Sequence, residues 1–174
     1  ITKNRLALAR RFLFLITVKE DTMSISTTMS FCFCSVREEN LTSILVGDMT
    51  LDELRENRDN QYLDVRQASL EHYTEELVEL LGEGHYALCD LLFLANNSTP
   101  LHEQHDGLLY NLAVVPEIVK AFAATDLKKL VHDIGYHEAE SQEGLNTFRE
   151  NLNHVHELFK FAEENKLNVI GFTL

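Results

Sequence analysis

Residues 145–174 read LNTFRENLNHVHELFKFAEENKLNVIGFTL, and this stretch decides the fold class. Leu145, Phe148, Leu152, Val155, Phe159 and Ala162 recur at steps of three and four, which puts them on one stripe of an amphipathic α-helix. The helix is predicted to end near Asn165. Residues 167–174 then read as a C-terminal β-strand. An apolar helical stripe feeding a strand calls for a helix-on-sheet core, so the fold class is expected to be α+β. The expectation is a single domain with about five helices packed on a small sheet that includes the C-terminal strand.

The upstream sequence fits that frame. Phe31-Cys-Phe-Cys-Ser-Val36 is short, aromatic-rich and apolar on both faces, as a strand covered on both sides must be. Thr50-Leu-Asp-Glu53 has capping-box spacing and predicts the start of a short helix. Leu70, Tyr73, Leu77, Leu80 and Leu81 follow helical spacing, with Glu71, Glu75, Glu76 and Glu79 largely off the apolar stripe, and Gly82-Glu-Gly84 ends the run. Tyr86 to Ala95 is apolar almost all round and reads as a buried core helix, followed by a loop at residues 96–100. Pro116 suits the first turn of a helix carrying Ile118, Val119, Phe122 and Ala123. Thr125 is expected to cap the next helix, whose stripe is Leu127, Leu130, Val131 and Ile134.

The chain has 174 residues, 45% of them hydrophobic, which suffices for one domain with a core of its own. Seven Gly and two Pro are too few for a turn-rich β-sandwich or a disordered linker. Residues 1–28 differ from the rest. Lys3, Arg5, Arg10, Arg11 and Lys19 surround the apolar run Phe12-Leu-Phe-Leu-Ile-Thr-Val18, which is short for a signal peptide and lacks a small-residue cleavage site. They are read as an N-terminal extension, an added strand or a non-native segment, ahead of a domain over residues 29–174. A homo-oligomer in which this extension takes part is open. The three cysteines, Cys32, Cys34 and Cys89, have no paired spacing and are expected to be reduced.

The net charge is −13, from 15 basic and 28 acidic residues. Beyond residue 28 the chain holds ten basic and 26 acidic side chains, a net of −16. Such a surface repels nucleic-acid phosphates and anionic membranes, so neither is expected as a partner. A basic protein is the electrostatic complement.

Histidine is the one residue type whose pattern suggests chemistry. His102 and His105 lie three apart after a Pro-containing loop, and His132 is followed directly by Asp133. Imidazole and carboxylate together are donors for a divalent metal. His132-Asp133-Ile134-Gly135 resembles the central motif of the HD-domain metal-dependent phosphohydrolases, which also use an earlier His, matched by His105. That family's pattern includes a later Asp, and no Asp follows Asp133 in this chain. His154 and His156 are read as part of a polar helix surface. No G-x-S-x-G elbow, Walker A loop or G-x-G-x-x-G is present.

From Met29-Ser-Phe-Cys-Phe-Cys-Ser-Val36, through Val115-Pro-Glu-Ile-Val-Lys-Ala-Phe122 and Thr125-Asp-Leu-Lys-Lys-Leu130, to the helix around Phe161-Ala-Glu-Glu164 and the strand Asn168-Val-Ile-Gly171, the order of features resembles the YfbM-like family of bacterial proteins. The resemblance implies an α+β fold and brings no catalytic residues. The Trp that the family often carries is missing, since the chain has none.

The first functional expectation is a small acidic cytoplasmic protein that binds a basic protein partner, most concretely an immunity protein inhibiting a toxin. Glu71, Glu75, Glu76 and Glu79 are its partner-binding candidates, and it needs no cofactor. The alternative is an HD-like hydrolase whose divalent metal is held by His105, His132 and Asp133, with His102 as a further ligand.

Overall fold

In the computed structural model, residues 30–56, 66–70, 87–93, 99–100, 107–138 and 142–173 are described. The sequence alternates short apolar strands with helices, and five strands form one sheet. These are β1 (Phe31–Val36), β2 (Gln67–Leu70), β3 (Thr99–Pro100), β4 (Gly107–Tyr110) and β5 (Asn168–Thr173). Their spatial order is β2-β1-β5-β4-β3, and every neighbouring pair is antiparallel. The C-terminal strand is therefore the middle of the sheet. The class is α+β, and six helices lie among the described residues: α1 (Glu38–Val46), α2 (Leu51–Glu56), α3 (Ala87–Phe93), α4 (Val115–Ala124), α5 (Leu127–Glu138) and α6 (Gln142–Asn165).

Alternation along the strands divides the core into two layers. Phe31 and Phe33 of β1, Ala68 and Leu70 of β2, Leu108 and Tyr110 of β4 and Val169 of β5 pack against α3, α4, α5 and α6. Cys34, Val36, Leu109, Ile170 and Phe172 point the other way and pack with Leu41 and Ile44 of α1 and Leu54 of α2. The sheet is covered on both faces, which is why β1 and β5 read as continuous apolar runs. From α6, Leu152, Val155, Phe159 and Ala162 enter the first layer as their spacing predicts, with Phe148 partly buried against it. Leu158, off the predicted stripe, enters it too, and the Leu145 side chain lies outside the described residues.

Local chemistry sets the element ends. Thr50 and Glu53 form the predicted capping box: the Thr50 N–H donates to Glu53 Oε2 at 2.7 Å, and the Glu53 N–H to Thr50 Oγ1 at 3.1 Å. Gly47 ends α1 in the left-handed region at φ 84°, its N–H bonded to the Ile44 carbonyl at 3.1 Å. Asn111 Oδ1 accepts from the N–H groups of Ala113 and Val114 at 3.0 and 3.2 Å, and so starts the turn into α4, where Pro116 occupies the first turn as predicted.

The expected cap at Thr125 needs correction. Asp126 does that work, its Oδ1 accepting from Lys128 and Lys129 N–H at 3.0 and 3.2 Å. Thr125 instead turns back to donate to the Ala121 carbonyl at 2.7 Å and closes α4. Both residues are good N-caps, and the tight junction between two helices gives the role to the one nearer the second. Leu70 also departs from expectation, being the last residue of β2 and 0% exposed; residues 71–86, which carry the rest of that predicted helix, lie outside the described residues. Thr99 and Pro100, read as loop, pair with Leu109 and Leu108 of β4.

Gly171 is dictated by packing. It sits on β5 opposite Phe33 and Leu108, and a Cβ there would lie 2.8 Å from Phe31 Cε1 and 3.0 Å from Tyr110 Cε2. Phe31, Phe33, Tyr110 and Phe159 form a chain of aromatic contacts with centroids 5.0 to 6.0 Å apart. Gly171→Ala must push fully buried rings aside and is expected to cost about 1–3 kcal/mol, read as a lowered urea midpoint with an unchanged m-value.

Candidate functional site

The His132-Asp133 pair is placed by α5. Leu130 and Val131 turn into the core, and the two residues that follow face solvent, with side chains 76% and 47% exposed. His132 Nδ1 lies 3.8 Å from Asp133 Oδ1. This proximity follows from their adjacency in sequence. Among the described residues no three His, Cys, Asp or Glu side chains are grouped so as to hold a metal ion. His102 and His105 lie outside the described residues, as do Glu71, Glu75, Glu76 and Glu79.

His156 is the residue that sequence reading undervalued. His154 is exposed, as expected, but His156 is half-buried. Its ring stacks on Phe122 of α4, with centroids 4.7 Å apart and planes within 10° of parallel. The signal was present: His156 is four residues after Leu152 and three before Phe159, on the flank of the apolar stripe. Beside it Glu157 accepts from Lys160 Nζ at 2.9 Å, an exposed pair one turn long. Arg66, at the start of β2, lies 4.0 Å from the centroid of the Phe161 ring and bonds through its backbone N–H to Ser35 Oγ at 2.8 Å. The result is a strip of stacked and paired side chains that ties β2 and α4 to α6. It contains no described nucleophile.

Burial lowers the His156 pKa from its ordinary value, Lys160 lowers it further, and Glu157 pulls the other way. The fold thus favours the neutral ring. Its contribution to stability is complete above the ordinary histidine value of about 6.5 and is lost as pH falls through the lower folded value. Urea unfolding between pH 7.5 and 5 (rough bounds set by that value) is expected to show a loss of stability that is smaller in His156→Phe, which keeps a stacked ring without a titrating group. An equal loss in both proteins would assign the effect to other groups.

The thiols sit in different surroundings. Cys34 faces the α1–α2 layer and Cys89 the α6 layer, and burial pushes each thiol up to about 12. Neither is a nucleophile at neutral pH, since the thiolate is the reactive form. Cys32, on the same face of β1 as Cys34, is only partly buried, and none of the three is in a disulfide. A thiol-specific disulfide reagent is expected to modify Cys32 first, with Cys34 and Cys89 reacting only on unfolding.

A shallow groove runs between the start of α4 and the end of α6, where Leu112, Val115 and Pro116 face Ala162, Glu163 and Lys166. Its surface is mostly apolar, and Leu112 is 49% exposed. Among the described residues no helix is long and apolar enough to cross a membrane. No protein family, curated protein or solved structure matches this chain.

Proposed function

We propose that this is a small acidic protein that binds a basic protein partner, and in its most concrete form an immunity protein that inhibits a basic bacterial toxin in the cytoplasm. One observation carries the reading. Between Arg66 and Lys120 the chain has nine Asp and Glu and no Lys or Arg. Five of those carboxylates fall in the 13 residues from Glu71 to Glu83. Elsewhere acids and bases are mixed: α6 alternates Arg149, Glu150, Glu157, Lys160, Glu163 and Glu164, and α5 opens with Lys128 and Lys129. Gathered on one face, those carboxylates would make a directional field, which speeds encounter with a cationic surface and rejects anionic ones. Affinity would then come from a few well-packed contacts, with the carboxylates setting register and on-rate.

The test begins with capture of a partner at low salt. Reversing the charges of Glu71, Glu75, Glu76 and Glu79 together is expected to weaken that partner's binding at least tenfold, about 1.4 kcal/mol, and to flatten its dependence on ionic strength. Unchanged affinity and salt slope would remove these four residues from the proposal.

The second reading, a metal-dependent phosphohydrolase, rests on the adjacent His132 and Asp133. Their donor chemistry suits a divalent metal, with His105 and His102 as the further ligands the sequence offers. The exposure of both described members favours the first reading, because a catalytic metal site ordinarily sits in a shielded shell that controls solvent access. Elemental analysis of the purified protein is expected to find no stoichiometric divalent metal. Metal present in the natural sequence and lost in His132→Ala would reverse the order of the two readings.

A further inference from the structure

We draw no further inference here: the strongest candidate, the shallow apolar groove that Leu112, Val115 and Pro116 form with Ala162, Glu163 and Lys166 between α4 and the end of α6, carries nothing because nothing in the structure shows what covers it.

Discussion

The absence of a side chain at Gly171 is the constraint around which the core is built. β5 runs between β1 and β4, so whatever stands on its inner face separates the side chains of its neighbours. With only hydrogen there, Phe31 from one strand and Tyr110 from the other close over β5, and both rings are fully buried. Phe33 and Phe159 complete the contact, bringing in α6, and Phe93 of α3 meets Phe31 edge-on at 6.0 Å. The Tyr110 hydroxyl, which would be costly to bury unpaired, donates to the Leu92 carbonyl at the end of α3. One small residue thereby lets three strands and two helices share a single aromatic cluster.

Among the described residues, the opposite face of the sheet is covered by a smaller set of side chains. α1 and α2 are short, and each relies on local devices: Gly47 at one end, the Thr50–Glu53 box at the other. A partly buried polar pair also helps, as Asn168 at the start of β5 donates to Glu38 in the first turn of α1 at 2.8 Å. Asn40, 5% exposed, leaves its amide nitrogen without a partner among the described residues. Among the described residues, an aromatic layer on one face thus faces a smaller layer on the other, whose helices end in local caps. The proposed function depends instead on how charge is distributed along the sequence. A run with nine carboxylates and no Lys or Arg carries an electrostatic signal that the apolar interior neither requires nor explains.

Legibility followed the length and regularity of each pattern. α6 spans 24 residues, and about five turns of consistent spacing from Leu145 to Ala162 leave little room for another reading. β1 was legible because strand-forming aromatics on both faces fit a covered strand. Leu70 shows the limit. Its spacing with Tyr73 and Leu77 fits a helix, yet Phe31 pairs with it across the sheet, and long-range pairing overrides a local period. β2 and β4 are only four residues each, too short for periodicity to separate strand from helix. Thr125 and Asp126 are both competent caps, and only the path of the chain between two helices selects one. His156 looked like a surface residue because its partner, Phe122, lies 34 positions away in sequence.

By itself the sequence determined the α+β class, the amphipathic face of α6, the terminal strand, the capping box at Thr50 and the acidity of the body. All of these depend on residues near one another in the chain or on a simple sum over it. Strand order, the central place of β5, the requirement for glycine at 171, the stacking of His156 and the depth of Cys34 and Cys89 were decided only by tertiary structure. Each depends on which distant segments meet, and that is set by how two apolar layers close on the faces of one sheet.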